Sequence, residues 1–150
     1  MPKVLIVYWS KYGNTKQVAE TIAKGIKAAK QVEVTVKDVK KTKPEEALNY
    51  DVVVVGSANH IGGPVGDIKK FLKNLEKLDL KGKSGAVFDT HIKNDVKAVQ
   101  KMEKQIREKI PGLKLVVPGL AAQVEGMKGP LVEGELRKAE EFGKGISTKI

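Results

Sequence analysis

What most constrains this chain is that its apolar residues change period repeatedly along its length. Runs at 4–8, 52–55 and 113–117 are nearly continuous in Val, Ile and Leu, as expected of parallel strands covered on both faces. A further run lies at 84–88, while at 32–36 three valines alternate with Glu33 and Thr35, the pattern of an edge strand with one wet face. Between these runs the repeat lengthens to that of a helix. Val18, Ile22 and Ile26, with Ala19, Ala23 and Ala29 beside them, form one stripe, and Ile68, Phe71, Leu72, Leu75 and Leu78 form a second. Val96, Val99, Met102, Ile106 and Ile110 make a third, closed by Pro111-Gly112, and Leu131, Leu136, Ala139, Phe142 and Ile146 make the last. Residues 44–48 are read as a short helix between the second and third strands. Strands alternating with helices predict one α/β domain over 1–150, with right-handed crossovers building an open, doubly wound, five-stranded parallel sheet. A ligand of such a sheet lies beyond the carboxyl ends of its strands. The segments that matter are therefore 9–14, 56–66 and 89–94, after strands one, three and four.

Composition removes several function classes. The chain has no Cys, which excludes disulfides, thiolate nucleophiles and Cys-ligated clusters, so any redox chemistry must belong to a bound cofactor. Its two histidines, His60 and His91, have no second ligand at helical spacing, and no metal site is expected. No apolar run approaches the roughly 20 residues that span a bilayer, and the start Met-Pro-Lys reads as the approach to a strand rather than a signal peptide. A cytoplasmic location without integral membrane association is the expectation. The formal charge of +10 comes almost entirely from Lys, because Arg107 and Arg137 are the only arginines. Lys24, Lys27, Lys69, Lys70, Lys73, Lys97, Lys101 and Lys104 fall on the predicted solvent faces of helices. They read either as solvated surface or as attraction for an anionic partner. Few aromatics and scarce Arg argue against a nucleic-acid partner.

The first of the three segments reads Ser10-Lys11-Tyr12-Gly13-Asn14-Thr15. Hydroxyl and amide side chains surround a turn whose glycine allows close backbone approach, and a helix begins immediately afterwards. The amides at a helix start, the helix dipole and the charges of Lys11 and Lys16 all favour a phosphate there. The simpler alternative is that Asn14 only caps a helix. Neither G-x-x-x-x-G-K-[ST] nor G-x-G-x-x-G follows the first strand, so nucleotide hydrolysis and a standard dinucleotide site have no support.

On these residues the sequence resembles the flavodoxins and the flavodoxin-like domains of larger flavoproteins. Flavodoxins typically carry [ST]-x-T-G-N-T after the first strand to hold the phosphate of FMN, and 10–15 match it except that Tyr12 replaces a Thr. A Tyr at that place is similar to the flavodoxin domains of flavodiiron proteins and to FMN-dependent quinone reductases. The resemblance extends over V-V-V-V-G-S-A-N-H at 52–60, G-P-L-V-E-G-E-L at 129–136 and E-E-F-G at 140–143, essentially the whole chain. It implies the strand order 2-1-3-4-5 and FMN as cofactor. It also implies that Ser10, Lys11, Tyr12, Gly13, Asn14 and Thr15 hold the phosphate. Ser57, Ala58, Asn59, His60, Ile61 and Gly62 would border the flavin ring on one side, and Asp89, Thr90, His91 and Ile92 on the other. Two features depart from the pattern. Many flavodoxins place a Trp and a Tyr in the two ring-bordering segments, where this chain has His60 and His91, and flavodoxins are commonly acidic. Trp9 is either a ring neighbour or strand-end packing, and each His is either a stacking, proton-exchanging group or an exposed polar residue. Asp67 and Asp89 read as a helix cap and a turn residue rather than as catalytic groups.

The resemblance implies an FMN-binding electron-transfer protein that shuttles one or two electrons, as a monomer or small homo-oligomer, with redox partner proteins that the basic charge would make acidic. The alternatives are an FMN-dependent NAD(P)H or quinone oxidoreductase similar to the menaquinone-linked protoporphyrinogen dehydrogenases, acting on a small-molecule quinone with His60 or His91 as proton donor, and a flavin-free interaction module.

Overall fold

A computed structural model describes residues 1–150. Strands β1 (Lys3–Tyr8), β2 (Glu33–Asp38), β3 (Val52–Ala58), β4 (Lys83–Ile92), β5 (Leu113–Leu115) and β6 (Leu120–Val124) alternate with helices α1 (Asn14–Ala29), α2 (Gly66–Leu75), α3 (Lys97–Lys109) and α4 (Glu135–Ser147). All strand pairs are parallel, and the sheet runs β2-β1-β3-β4-β5, with β6 also paired to β4.

The period-2 alternation of β1 and β3 distributes their side chains between two cores. Leu5, Val7, Val53 and Val55 face α2 and α3, whose Ile68, Phe71, Leu72, Met102 and Ile106 are buried against them. Val4, Ile6, Val52 and Val54 face the other way, onto Val18, Ile22 and Ile26 of α1 and Ala139 and Ile146 of α4. The four predicted stripes face a core, apart from Ala29, which is exposed at the end of α1, and Leu136, which is half-buried outside both clusters. The eight lysines placed on solvent faces are all exposed. The edge strand β2 is mostly half-buried.

Helices α1 and α4 pack backbone to backbone. A Cβ on Gly25 would lie 2.1 Å from the Glu140 carbonyl oxygen, and one on Gly143 would lie 2.2 Å from the Ile22 carbonyl oxygen.

Four local expectations differ from the structure. The fifth strand is two segments: Pro118, with no N–H to donate, interrupts the ladder after Leu115, and pairing with β4 resumes at Leu120. Because β6 continues that pairing from Phe88↔Leu120 to Ile92↔Val124, β4 runs on through Asp89, Thr90, His91 and Ile92, which the sequence suggested were a loop. The segment before β3 forms 3-10 turns at Val39–Lys41 and Pro44–Asn49 rather than an α-helix. Asn14 is not a cap: Gly13, in the left-handed region at φ 95°, occupies that position, and Asn14 is the first helical residue.

Candidate functional site

Strands β1, β3 and β4 end at one edge of the sheet, where their exits surround a cavity of about 470 Å³. Of the sixteen residues that the resemblance assigns to the cofactor, all but Gly13, Ser57, Gly62 and Asp89 line it, and Trp9, Val124 and Met127 join them.

The wall after β1 is a turn that leaves its amides free. Ser10 Oγ accepts a hydrogen bond from the Gly13 N–H at 3.1 Å, which folds the loop back on itself. The N–H groups of Ser10, Lys11, Tyr12, Asn14, Thr15 and Lys16 have no acceptor in the protein. Thr15 is buried, with Oγ1 2.7 Å from Thr90 Oγ1, so the first turn of α1 is tied to the end of β4. Lys11 Nζ lies 5.4 Å from the centre of the Tyr12 ring, and the Tyr12 hydroxyl donates to Met127 Sδ at 3.9 Å.

The wall after β3 is fastened from behind. Ser57 is fully buried and does not reach the cavity; its hydroxyl donates to the Ala58 carbonyl at 2.7 Å and accepts from the Val65 N–H at 3.0 Å. Asn59 joins the segment to α3, its Nδ2 donating to Asp95 Oδ2 at 2.8 Å and its Oδ1 accepting from the Ala98 N–H at 2.9 Å. The Asn59 bond, aided by the Lys97 N–H, holds the Asp95 carboxyl below its ordinary range. The His60 N–H closes a tight turn onto the Gly63 carbonyl at 2.7 Å. Within that turn Ile61 has φ 44°, a conformation that strains a β-branched residue, and its side chain is fully exposed. His60 meets Trp9 edge to face, with ring centroids 5.1 Å apart and planes at 77°. Trp9 therefore serves the cavity wall and not only the strand end.

The third wall is the end of β4, where residues two apart share a face. Asp89 is fully buried in the strand, so its reading as a turn residue is corrected. It lies behind the cavity, with Oδ1 2.9 Å from His91 Nδ1 and Oδ2 accepting from the Val99 N–H at 3.2 Å. Burial pushes the Asp89 carboxyl up, while His91 and the amides of Val99 and Ala122 pull it back down. His91 is also buried, yet its ring lines the cavity, and Nε2 has no protein partner and keeps contact with solvent. Asp67 likewise is not a cap, since Val65 holds that position for α2; Asp67 sits in the first turn. Val124 and Met127 reach the cavity through β6 and the loop after it. No periodicity marked those residues, because β6 itself has no sequence signature beyond Leu120, Ala122 and Val124 facing inward.

The arrangement combines a nest of unpaired amides for an anion, an apolar and aromatic cavity of the size common for small-molecule sites, and two imidazoles on its wall. No helix is long and apolar enough to cross a membrane.

A flavodoxin domain model matches residues 5–126. Among solved structures, flavodoxin 2 from Bacillus cereus is 30% identical, with 99% of both chains covered and a TM-score of 0.85. A flavodoxin from the domain Archaea is 26% identical, with 98% of this chain and 97% of that chain covered and a TM-score of 0.84. The flavodiiron core of Flv1 from Synechocystis is 22% identical with a TM-score of 0.80; this chain is covered over 98% and spans 35% of that one, a likeness of fold. The match over most of the chain, with the sheet order and the amide nest in place, shows that this chain belongs to the flavodoxin family, whose members bind FMN.

Proposed function

We propose that this chain is an electron carrier that holds FMN in the cavity at the carboxyl edge of its sheet. The observation that carries the reading is the set of unpaired N–H groups at Ser10, Lys11, Tyr12, Asn14, Thr15 and Lys16, opening directly onto an aromatic-walled cavity. These residues fit the group: the amides and the start of α1 suit a dianionic phosphate, with Lys11 and Lys16 adding positive charge. Trp9, Tyr12, His60, Ile61, Ile92 and Met127 offer the flat and apolar surfaces that exclude water from a ring system. Bound FMN would supply reversible one- or two-electron chemistry, and the protein would supply position, burial and charge. Addition of FMN to the apo protein should quench the flavin fluorescence to a one-to-one endpoint and shift the visible spectrum. A chain that stays colourless in excess FMN overturns the reading and favours a flavin-free module.

The partner this surface suits is an acidic redox protein. Lys69, Lys97 and Lys101 flank the Gly62-Gly63 turn, and like Lys11 and Lys93 they have no carboxylate within ion-pair distance. At the cavity mouth Ile61, Ile92 and Met127 are exposed, an apolar centre within a basic rim. Charge reversal in the double variant Lys97→Glu, Lys101→Glu should slow electron exchange with a small acidic redox protein about 10-fold or more at low salt and flatten its salt dependence. An unchanged rate with an unchanged salt slope would remove the acidic partner.

A second reading, FMN-dependent reduction of a small quinone, is favoured by the two imidazoles on the cavity wall. Steady turnover of a quinone with NAD(P)H by the loaded protein would establish it.

A further inference from the structure

We propose that Asp89 and His91 form a proton-exchanging pair, in which Asp89 is a positioning residue that keeps His91 Nε2 as the proton acceptor facing the cavity. The inference deepens the reading of the cavity as the FMN site and rests on it for the redox part alone.

The geometry determines the tautomer. Asp89 has both oxygens committed, Oδ1 toward His91 Nδ1 at 2.9 Å and Oδ2 to the Val99 N–H at 3.2 Å. Ionised, as its bonds to His91 and to the Val99 amide favour, the Asp89 carboxylate only accepts, so Nδ1 carries its hydrogen and Nε2 presents its lone pair. The pair is held rigidly. Asp89 is fully buried and His91 nearly so, and both lie in β4, which is paired on one side to β3 and on the other to β6. Neither neighbouring strand brings a charge: β3 reads VVVVGSA and β6 reads LAAQV. Helix α1 contributes the neutral Thr15, and α3 contributes the Val99 amide, with Lys97 at its start. The cavity's other titratable side chains are Lys11, Tyr12 and His60. Asp89 is therefore the sole carboxylate in contact with His91, and it stabilises the imidazolium once Nε2 has taken a proton.

The balance is one proton for the first electron, because Nε2 is the single proton-accepting atom of the pair. As a donor protein delivers an electron into the site, Nε2 binds one proton from water and the net charge of the cavity is unchanged. When the electron leaves for an acceptor protein, the proton returns to water. A buried charge that is neutralised within hydrogen-bonding distance of its carboxylate costs less than one left alone.

Asp89→Asn makes a specific test. The Val99 N–H still requires an acceptor, so the amide oxygen must stay on that side and the amide NH2 must face Nδ1. Nδ1 then accepts, and the hydrogen moves to Nε2. In nitrogen-15 spectra of the cofactor-free protein at about pH 8, above the ordinary imidazole range, His91 should carry its hydrogen on Nδ1 in the wild type and on Nε2 in Asp89→Asn. In the FMN-loaded protein, reduction should take up one proton more in the wild type than in His91→Asn, whose side-chain amide still donates to Asp89 Oδ1 but has nothing to titrate. The midpoint potential should accordingly fall with pH in the wild type and lose that component in His91→Asn. An Nε2–H tautomer in the wild type, the same tautomer in both proteins, or equal proton uptake with and without His91 would overturn the pair. Failure of FMN to bind would count against the cofactor reading only, since the spectra are recorded without cofactor.

Discussion

Gly143→Ala is expected to destabilise the protein by about 2–3 kcal/mol, the upper part of the range for an overpacked core. The added methyl would sit 2.2 Å from the Ile22 carbonyl oxygen, 2.9 Å from the Ile26 nitrogen and 3.1 Å from the Gly25 Cα. These are backbone atoms of α1, so no side-chain rotation relieves the clash, and the two helices must separate. Separation loosens the burial of Ile22, Ile26, Ala139 and Ile146 and stretches the bond from the Ser147 hydroxyl to the Ile26 carbonyl, 3.3 Å long. Gly145 sits in the same helix, where an added methyl meets nothing nearer than Val117 Cγ1 at 3.8 Å. Gly145→Ala should therefore stabilise by up to about 0.8–1 kcal/mol through helix propensity alone. Denaturant midpoints at constant slope measure both changes. A loss below about 1 kcal/mol for Gly143→Ala, or equal effects at the two positions, would show that the α1–α4 contact is less tight than the structure has it.

Asn14→Asp is expected to weaken FMN binding by about 100-fold or more while leaving the fold intact. The Asn14 side chain lies against Gly129, 2.6–2.9 Å from where a Cβ there would be, so a larger side chain at 14 would collide with that backbone. Aspartate keeps that shape and adds one negative charge beside the unpaired amides of 10–12 and 14–16. Two like charges about 5 Å apart at an effective dielectric constant of about 20 repel by roughly 3 kcal/mol, or two orders of magnitude in affinity. The cofactor-free protein should respond in the opposite direction, because an acidic residue in the first turn of α1 gains about 0.3–1 kcal/mol from the helix dipole. Fluorescence titration with FMN reads the first effect and denaturant unfolding of the apo protein reads the second. An affinity within about fivefold of wild type would place the anion elsewhere than this turn.

Much of the architecture was legible because burial writes its period into the sequence. The switch from period 2 to period 3.6 located the four long helices and the body of every strand up to β5. The three wall segments were also identifiable, since parallel strands deliver their following loops to one edge. What escaped detection depended on pairing partners distant in sequence. Strand β6 is five residues with one polar member, preceded by Pro118-Gly119, and its strand character comes from hydrogen bonding to β4. Missing β6 meant stopping β4 at Phe88, and Asp89 and His91 then looked like unrelated loop residues. Extended to Ile92, the same spacing of two puts them on one face. Val124 and Met127 were invisible for the same reason. The role of Asn14 was obscured by its neighbour: G-N-T is a good capping pattern, and it is Gly13, by taking the left-handed position, that releases Asn14 into the helix.

The interrupted edge strand has a consequence for how this fold can be altered. Residues 116–119 connect two pairings that β4 holds separately, three residue pairs with β5 and five with β6. Pro118 is exposed, while the Gly119 N–H is anchored to Glu103 Oε2 at 2.8 Å. A peptide inserted just ahead of Pro118 would lengthen only the connection, at about 0.6 kcal/mol per doubling of its length, while β6 and the cavity wall it carries stayed in register. The molecule thus contains a natural splice point, outside the residues that line the cavity, at which a reporter or a docking module can be grafted onto the carrier.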